Sequence, residues 1–158
     1  EMIEHVSFEK TTYNVLPYKF EAGTPNYVGS YAFSKAIDYV QAIGLEEVAK
    51  YEHELAVYLE EQLVLLSNVR VYAAGQEKAG AVSFNVYRED GALIHPFDVG
   101  VLLDRQGVAV RTGHHCAEPL IEHLGVPGTL RASVGLYNTK EDIDKLIAAL
   151  ERAIMMLE

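Results

Sequence analysis

After Asn68 the apolar residues of this chain change their spacing, and that change restricts the fold to a mixed one. Before it, Val28, Tyr31, Ala32, Ala36, Tyr39, Val40 and Ile43 keep helical spacing, and Leu45, Val48, Tyr51, Leu55, Leu59 and Leu63 do so again. After it, Val69-Arg70-Val71-Tyr72 and Ala81 to Val86 follow a period of two, as strands do. Helical spacing returns in Ile143, Leu146, Ile147, Leu150, Ile154 and Leu157. Helical stripes on both sides of strands point to an α+β fold. The expected architecture is a few-stranded, mostly antiparallel sheet with helices on one face.

Local signals refine this outline. Gly44 is placed to cap the first helix, and Thr139 with Asp142 three residues on forms a capping box for the last. A helix is expected over 95–106 with Phe97, Val101 and Leu102 inward, and a short one over 119–124. Further strands are expected at Val108 to Arg111 and at Thr129 to Gly135. Residues 1–22 are rich in β-formers but interrupted by Pro17, so they are expected to form an extended arm or hairpin, with residues 23–158 as the main domain.

Composition excludes several roles. The formal net charge is −10, so a nucleic-acid backbone or an anionic membrane surface is an unsuitable partner. No apolar run approaches the ~20 residues of a membrane span. The one cysteine, Cys116, cannot form an internal disulfide, which suits a reducing cytoplasm, and no metal site is expected.

Cys116 stands in Arg111-Thr112-Gly113-His114-His115-Cys116-Ala117-Glu118-Pro119-Leu120. A lone cysteine is most often a small core residue. Here it follows a strand in a polar loop, the kind of segment that carries function. Arg111, His114 and His115 bring positive charge near it, which favours the nucleophilic thiolate. Either histidine can instead be a solvated turn residue; a functional one would handle protons beside the thiol. Arg131 interrupts the otherwise apolar or small run Thr129-Leu130-Arg131-Ala132-Ser133-Val134. It is either an edge-strand arginine in water or a clamp for a carboxylate. Gly23-Thr24 before a helix can bind an anion, though such a pair is mostly a simple cap.

Together and in this order, these segments resemble the SUF-type cysteine desulfurases of the class-V aminotransferase group. Phe20 to Asn26, Arg111 to Ala117 with Pro119-Leu120, and Arg131-Ala132-Ser133 carry the resemblance, which extends over essentially the whole chain. It implies the small C-terminal domain of a fold-type I pyridoxal-phosphate-dependent transferase. It implies Cys116 as the nucleophile that takes sulfur from L-cysteine, with Arg131 on the substrate carboxylate and His115 and Arg111 nearby. Thr24 and Gly23 would reach the cofactor phosphate of the neighbouring subunit in a homodimer, and the arm would lie at the active-site entrance. The persulfide would pass to a sulfur-acceptor protein of the SUF system for iron–sulfur cluster assembly. Two alternatives stand beside this: a selenocysteine lyase or cysteine sulfinate desulfinase of the same group, and a non-enzymatic sulfur-carrier or docking domain.

The chain departs from the family in its lysines. Lys10, Lys19, Lys35, Lys50, Lys78, Lys140 and Lys145 all lack the family's Ser-His-Lys setting for the Schiff base. The family's large cofactor-binding domain is also absent, so the resemblance implies the C-terminal portion of a longer enzyme, and Met2 following a glutamate suggests a start other than the natural one. The 158-residue chain alone is therefore expected to be inactive. Incubation with free cysteine checks this: no alanine should form, and no cofactor absorbance band should survive dialysis.

Overall fold

The computed structural model describes residues 2–158. The chain forms two compact units, one running to Gly44 and the other from Leu45 to Glu158.

The first unit begins with an antiparallel hairpin of β1 (Ile3–Val6) and β2 (Thr11–Tyr13). Its turn is closed by the Ser7 N–H donating to the Lys10 carbonyl at 2.9 Å and by the Lys10 N–H donating to Ser7 Oγ at 3.1 Å. Helix α1 (Tyr27–Ile43) follows. Asn26 is its N-cap and accepts from the Gly29 N–H at 2.9 Å; Gly44 closes it as expected. The expected apolar stripe of α1 is not buried. Tyr31 is 74% exposed, and among the described residues every buried apolar one lies at Leu55 or beyond. The strands of the hairpin are themselves largely exposed, so this unit holds no core of its own.

The second unit contains the core. Helix α2 (Leu45–Val64) leads to β3 (Val69–Val71) and β4 (Ala81–Val86). Then come α3 (Pro96–Asp104), β5 (Arg111–Gly113), α4 (Glu118–Leu124), β6 (Thr129–Ser133) and α5 (Lys140–Leu157). The four strands form one sheet in the order β3-β4-β6-β5, and every pairing is antiparallel. Alternation along the strands gives the sheet two faces. Val82, Phe84 and Val86 of β4, with Leu130 and Ala132 of β6, are buried with Leu55, Leu59 and Leu63 of α2, Val99 and Leu103 of α3 and Leu146 and Leu150 of α5. The register pairs Val82 with Ala132 and Phe84 with Leu130 on that face, and Ser83 with Arg131 on the other. The three long helices therefore share one face, as expected of this fold class. The short α4 sits over the opposite, polar face, where its Leu120, Ile121 and Leu124 line a cavity together with Ser83 and Arg131.

Two local expectations change. The strand expected at 108–111 begins only at Arg111, because the turn after α3 uses the residues before it: Gly107 has φ 78°, and the Val108 N–H donates to the Leu103 carbonyl at 3.0 Å. Phe97, expected inward, is 60% exposed. The buried face of α3 is instead Pro96, Val99 and Leu103, and His95 caps the helix by accepting from the Phe97 N–H. The capping box of Thr139 and Asp142 is formed as read from the sequence.

Helix α3 also sets the position of β5. A Cβ on Gly100 would lie 2.5 Å from Thr112 Cγ2, so only glycine lets the helix approach that strand. Phe84 is fully buried at the centre of the core. Phe84→Ala is expected to destabilise the fold by about 3–5 kcal/mol, read as a lower midpoint in urea unfolding.

Candidate active site

The site grows from the polar face of β5 and β6. Their register sets Arg111 directly beside Arg131 and Gly113 beside Thr129. Like charges opposite each other on adjacent strands repel. Among the described residues, neither arginine has a carboxylate within ion-pair distance. Arg131 Nε is buried without a hydrogen-bond partner. Such a pair is set to receive an anion.

From β5 the chain turns directly into the cysteine loop. His115 has φ 55° and Cys116 φ 59°, so two successive side-chain-bearing residues occupy the left-handed region. Each such residue costs on the order of 1–3 kcal/mol. The His115 ring helps to offset that cost, because its Nε2 lies 2.9 Å from Thr129 Oγ1 and 3.1 Å from the Thr129 carbonyl. His114 also lines the cavity beside this loop, with Nε2 3.1 Å from the Pro127 carbonyl and Nδ1 3.8 Å from the Glu118 carboxylate. The turn is closed by the Ala117 N–H donating to the His114 carbonyl at 2.9 Å.

Cys116 is a free, exposed thiol. An Arg111 guanidinium nitrogen donates to its sulfur at 3.7 Å. Beside it lies a cavity of about 390 Å³ whose lining includes His115, Ala117, Thr129, Arg131, Ser83 and Tyr72. Cys116 is not part of that lining, although both its chain neighbours are. Arg131 and His115 thus share the cavity, while Arg111 and Cys116 pair outside it. A larger cavity of about 650 Å³, between α2 and residues 75–78, contains none of the candidate residues.

Burial holds the His115 imidazole below the ordinary histidine value of 6.5. The positive charges of Arg131, Arg111 and His114 act in the same direction, against a hydrogen bond to the Thr129 backbone that raises it. These effects favour the neutral ring. Nε2 meets both a carbonyl that only accepts and a hydroxyl that can donate or accept, so Thr129 serves either neutral tautomer of the ring. Nδ1 is buried with no partner.

Gly23 and Thr24 belong to the first unit and are exposed. The helix cap is Asn26 rather than Thr24. Gly23 has φ 74° and no atom within 4 Å of where a Cβ would stand, which leaves its backbone open to close approach. Among the described residues no group of metal-binding side chains occurs, and no helix is long and apolar enough to cross a membrane.

The family model of class-V aminotransferases (Aminotransferase class-V) matches residues 1–146. The chain belongs to the class-V aminotransferase family. Within it, the chain is 49% identical over 152 residues to a probable cysteine desulfurase of Halalkalibacterium halodurans, covering 96% of this chain and 36% of that protein. It is 45% identical over 157 residues to the cysteine desulfurase of Cronobacter sakazakii, covering 99% and 37%. The crystal structure of the cysteine desulfurase CsdA from Escherichia coli superposes with a TM-score of 0.81 at 36% identity, over 99% of this chain and 38% of that one. This class-V aminotransferase chain therefore spans little more than a third of the length of the relatives it matches.

Sequence reasoning missed Thr129. The signal was the two-residue alternation that puts Thr129 on the same strand face as Arg131. What it meets there depends on the path of the cysteine loop, which no periodicity encodes.

The His115 shift has a testable sign. Its folded pKa lies below the unfolded value, so the native state binds fewer protons than the unfolded state as the solution acidifies. The stability is present above the unfolded pKa and is lost as pH falls through 6.5 towards the folded value. Urea midpoints measured from about pH 7.5 to about pH 5.5 should fall, and His115→Gln should flatten that dependence.

Proposed function

We propose that this chain is the C-terminal portion of a pyridoxal-phosphate-dependent cysteine desulfurase, which converts L-cysteine to L-alanine and leaves a persulfide on Cys116. The observation that carries the reading is the gathering of Cys116, Arg111, His115 and Arg131 at one end of β5 and β6, with a buried, unpartnered N–H on Arg131.

The residues present fit the substrate side of such a site. The orphaned Arg131 Nε–H suits a carboxylate. Gly23, with its open backbone, and Thr24 would hold the cofactor phosphate. The Schiff-base lysine must come from elsewhere. Lys78 is the one lysine lining the site cavity, and its amine already donates to the Glu60 carboxylate, to the Ala73 carbonyl at 2.6 Å and to the Gln76 carbonyl at 3.2 Å. When bound, pyridoxal phosphate supplies a sink for the electron pair released as a carbon–sulfur bond breaks.

The chain's own residues do the rest. Arg131 holds the substrate carboxylate through charge-assisted hydrogen bonds. The Cys116 thiolate bonds to the substrate sulfur as that sulfur's bond to Cβ breaks. Sulfur stays on Cys116 as a persulfide, and the carbon skeleton, once protonated, leaves as alanine. A soft thiolate suits attack on sulfur, and Arg111 steadies the Cys116 sulfur. The exposure of Cys116 then lets an acceptor reach the persulfide. On this reading the acceptor is a protein of the SUF system serving iron–sulfur cluster assembly in the cytoplasm. The enzyme is a homodimer in which Thr24 and Gly23 reach the neighbouring subunit's cofactor, residues 1–22 form a hairpin arm at the entrance, and residues 23–158 are the small domain.

The test uses the full-length protein loaded with pyridoxal phosphate. It should release alanine from L-cysteine in preference to selenocysteine and cysteine sulfinate. Cys116→Ala should abolish alanine release from cysteine. Arg131→Lys should raise KM about tenfold to a hundredfold, the worth of a hydrogen bond to a charged group. A wild-type rate in Cys116→Ala would remove the reading.

A further inference from the structure

Among the described residues two polar ones are buried, Asn85 and Thr129. Thr129 meets His115. Asn85 touches none of the candidate site residues, and it is a costly residue for its place, because its Oδ1 is buried with no partner. It stands on β4 two residues after Ser83, on the polar face of the sheet. Its amide nitrogen donates to the Tyr72 hydroxyl at 3.0 Å and to the Gly128 carbonyl at 3.0 Å, the second bond wholly buried. The Gly128 carbonyl only accepts, so it decides which end of the amide faces it.

Gly128 is the middle of a short platform under the cysteine loop. Three consecutive loop residues rest on three consecutive platform residues. His114 Nε2 lies 3.1 Å from the Pro127 carbonyl. Gly113 packs so closely on Gly128 that a Cβ on Gly128 would stand 3.1 Å from Gly113 Cα. His115 Nε2 lies 3.1 Å from the Thr129 carbonyl and 2.9 Å from its hydroxyl. The platform lies just beyond the paired stretch of β4 and β6, which runs from Ala81 and Ser133 to Phe84 and Leu130. Where that backbone ladder stops, the Asn85 side chain continues the tie from β4. Cys116 follows the supported residues directly, at positive φ, with its sulfur 3.7 Å from an Arg111 nitrogen. A shift of the platform therefore moves the sulfur. We propose that Asn85 is a positioning residue: its amide, held on the Gly128 carbonyl, fixes the 127–129 platform and through it the loop that carries Cys116. Its effect on turnover rests on the desulfurase reading above; its hold on the loop does not.

The test uses the full-length protein carrying pyridoxal phosphate. Asn85→Leu removes both donors at similar volume. Hydrogen exchange of the Ala117 amide, which closes the loop on the His114 carbonyl, should quicken about tenfold, the worth of one hydrogen bond. With L-cysteine, kcat should fall about tenfold to a hundredfold, as for a misplaced nucleophile. KM should stay within about twofold, because Arg131 sits inside the paired stretch, opposite Ser83. Val82→Ala, on the core face of the same strand, separates positioning from stability. It should lower the urea midpoint and leave Ala117 exchange at the wild-type rate. Unchanged Ala117 exchange in Asn85→Leu, a raised KM with kcat intact, or equal quickening in Val82→Ala overturns the proposal. If Asn85→Leu does not fold, Gly128→Ala takes its place. Its added Cβ presses on Gly113 and should quicken the same exchange; a wild-type rate there also overturns the proposal. The two readings fail separately. If the wild type makes no alanine from cysteine but Asn85→Leu frees the loop, the desulfurase reading falls and this one stands. If the wild type turns over and Asn85→Leu leaves the loop unchanged, only this one falls.

Discussion

Along β6, Leu130 and Ala132 point into the core while Thr129 and Arg131 point to the opposite face, and the rest of the site depends on that alternation. The register with β4 is held by Phe84 against Leu130 and Val82 against Ala132. A slip of one residue would drive Arg131 into the apolar core and bring Leu130 to the cavity. Burying an unpaired guanidinium there costs far more than the slip could return. The core thus enforces the position of the arginine with no polar contact to guide it. The same logic passes on to β5, whose pairing with β6 sets Arg111 beside Arg131 and starts the cysteine loop at a fixed point.

The loop then departs from ordinary backbone geometry. His115 and Cys116 both take positive φ without being glycine, and such strain persists only where surrounding contacts over-determine it. Here the contact is the His115 ring on Thr129. The result is an exposed sulfur beside a cation, next to a half-enclosed cavity with a cationic wall. Exposure is unusual for a lone cysteine, which is ordinarily buried. On the proposed reading it suits a sulfur atom that meets a substrate on one side and an acceptor on the other.

Much of this was legible in the sequence, and the exceptions have physical causes. The last helix was readable because its apolar stripe and capping box are local signals. The candidacy of Cys116 rests on its neighbours and on a resemblance carried by a contiguous run, both independent of tertiary structure. The start of β5 was misplaced because Val108 and Val110 favour strands by composition, whereas the helix-closing bond from Val108 to Leu103 is a local geometry that composition does not carry. Hydrophobicity points Phe97 inward, but it stands in the first turn of α3, off the line of Val99 and Leu103. The stripe of α1 is helical as its spacing predicts, yet helical spacing does not say what covers a face. Thr129 was invisible because a threonine in a strand is ordinary until a histidine fourteen residues earlier folds back on it.

On the proposed reading, the Cys116 sulfur bonds to the sulfur of a substrate cysteine. Mass spectrometry of the Cys116 peptide, taken from the full-length pyridoxal-phosphate-loaded protein after one turnover with L-cysteine and no acceptor, tests it most directly. One added sulfur atom on Cys116 for each alanine released is expected. Alanine release with Cys116 unmodified, and the sulfur recovered as free sulfide, would contradict it.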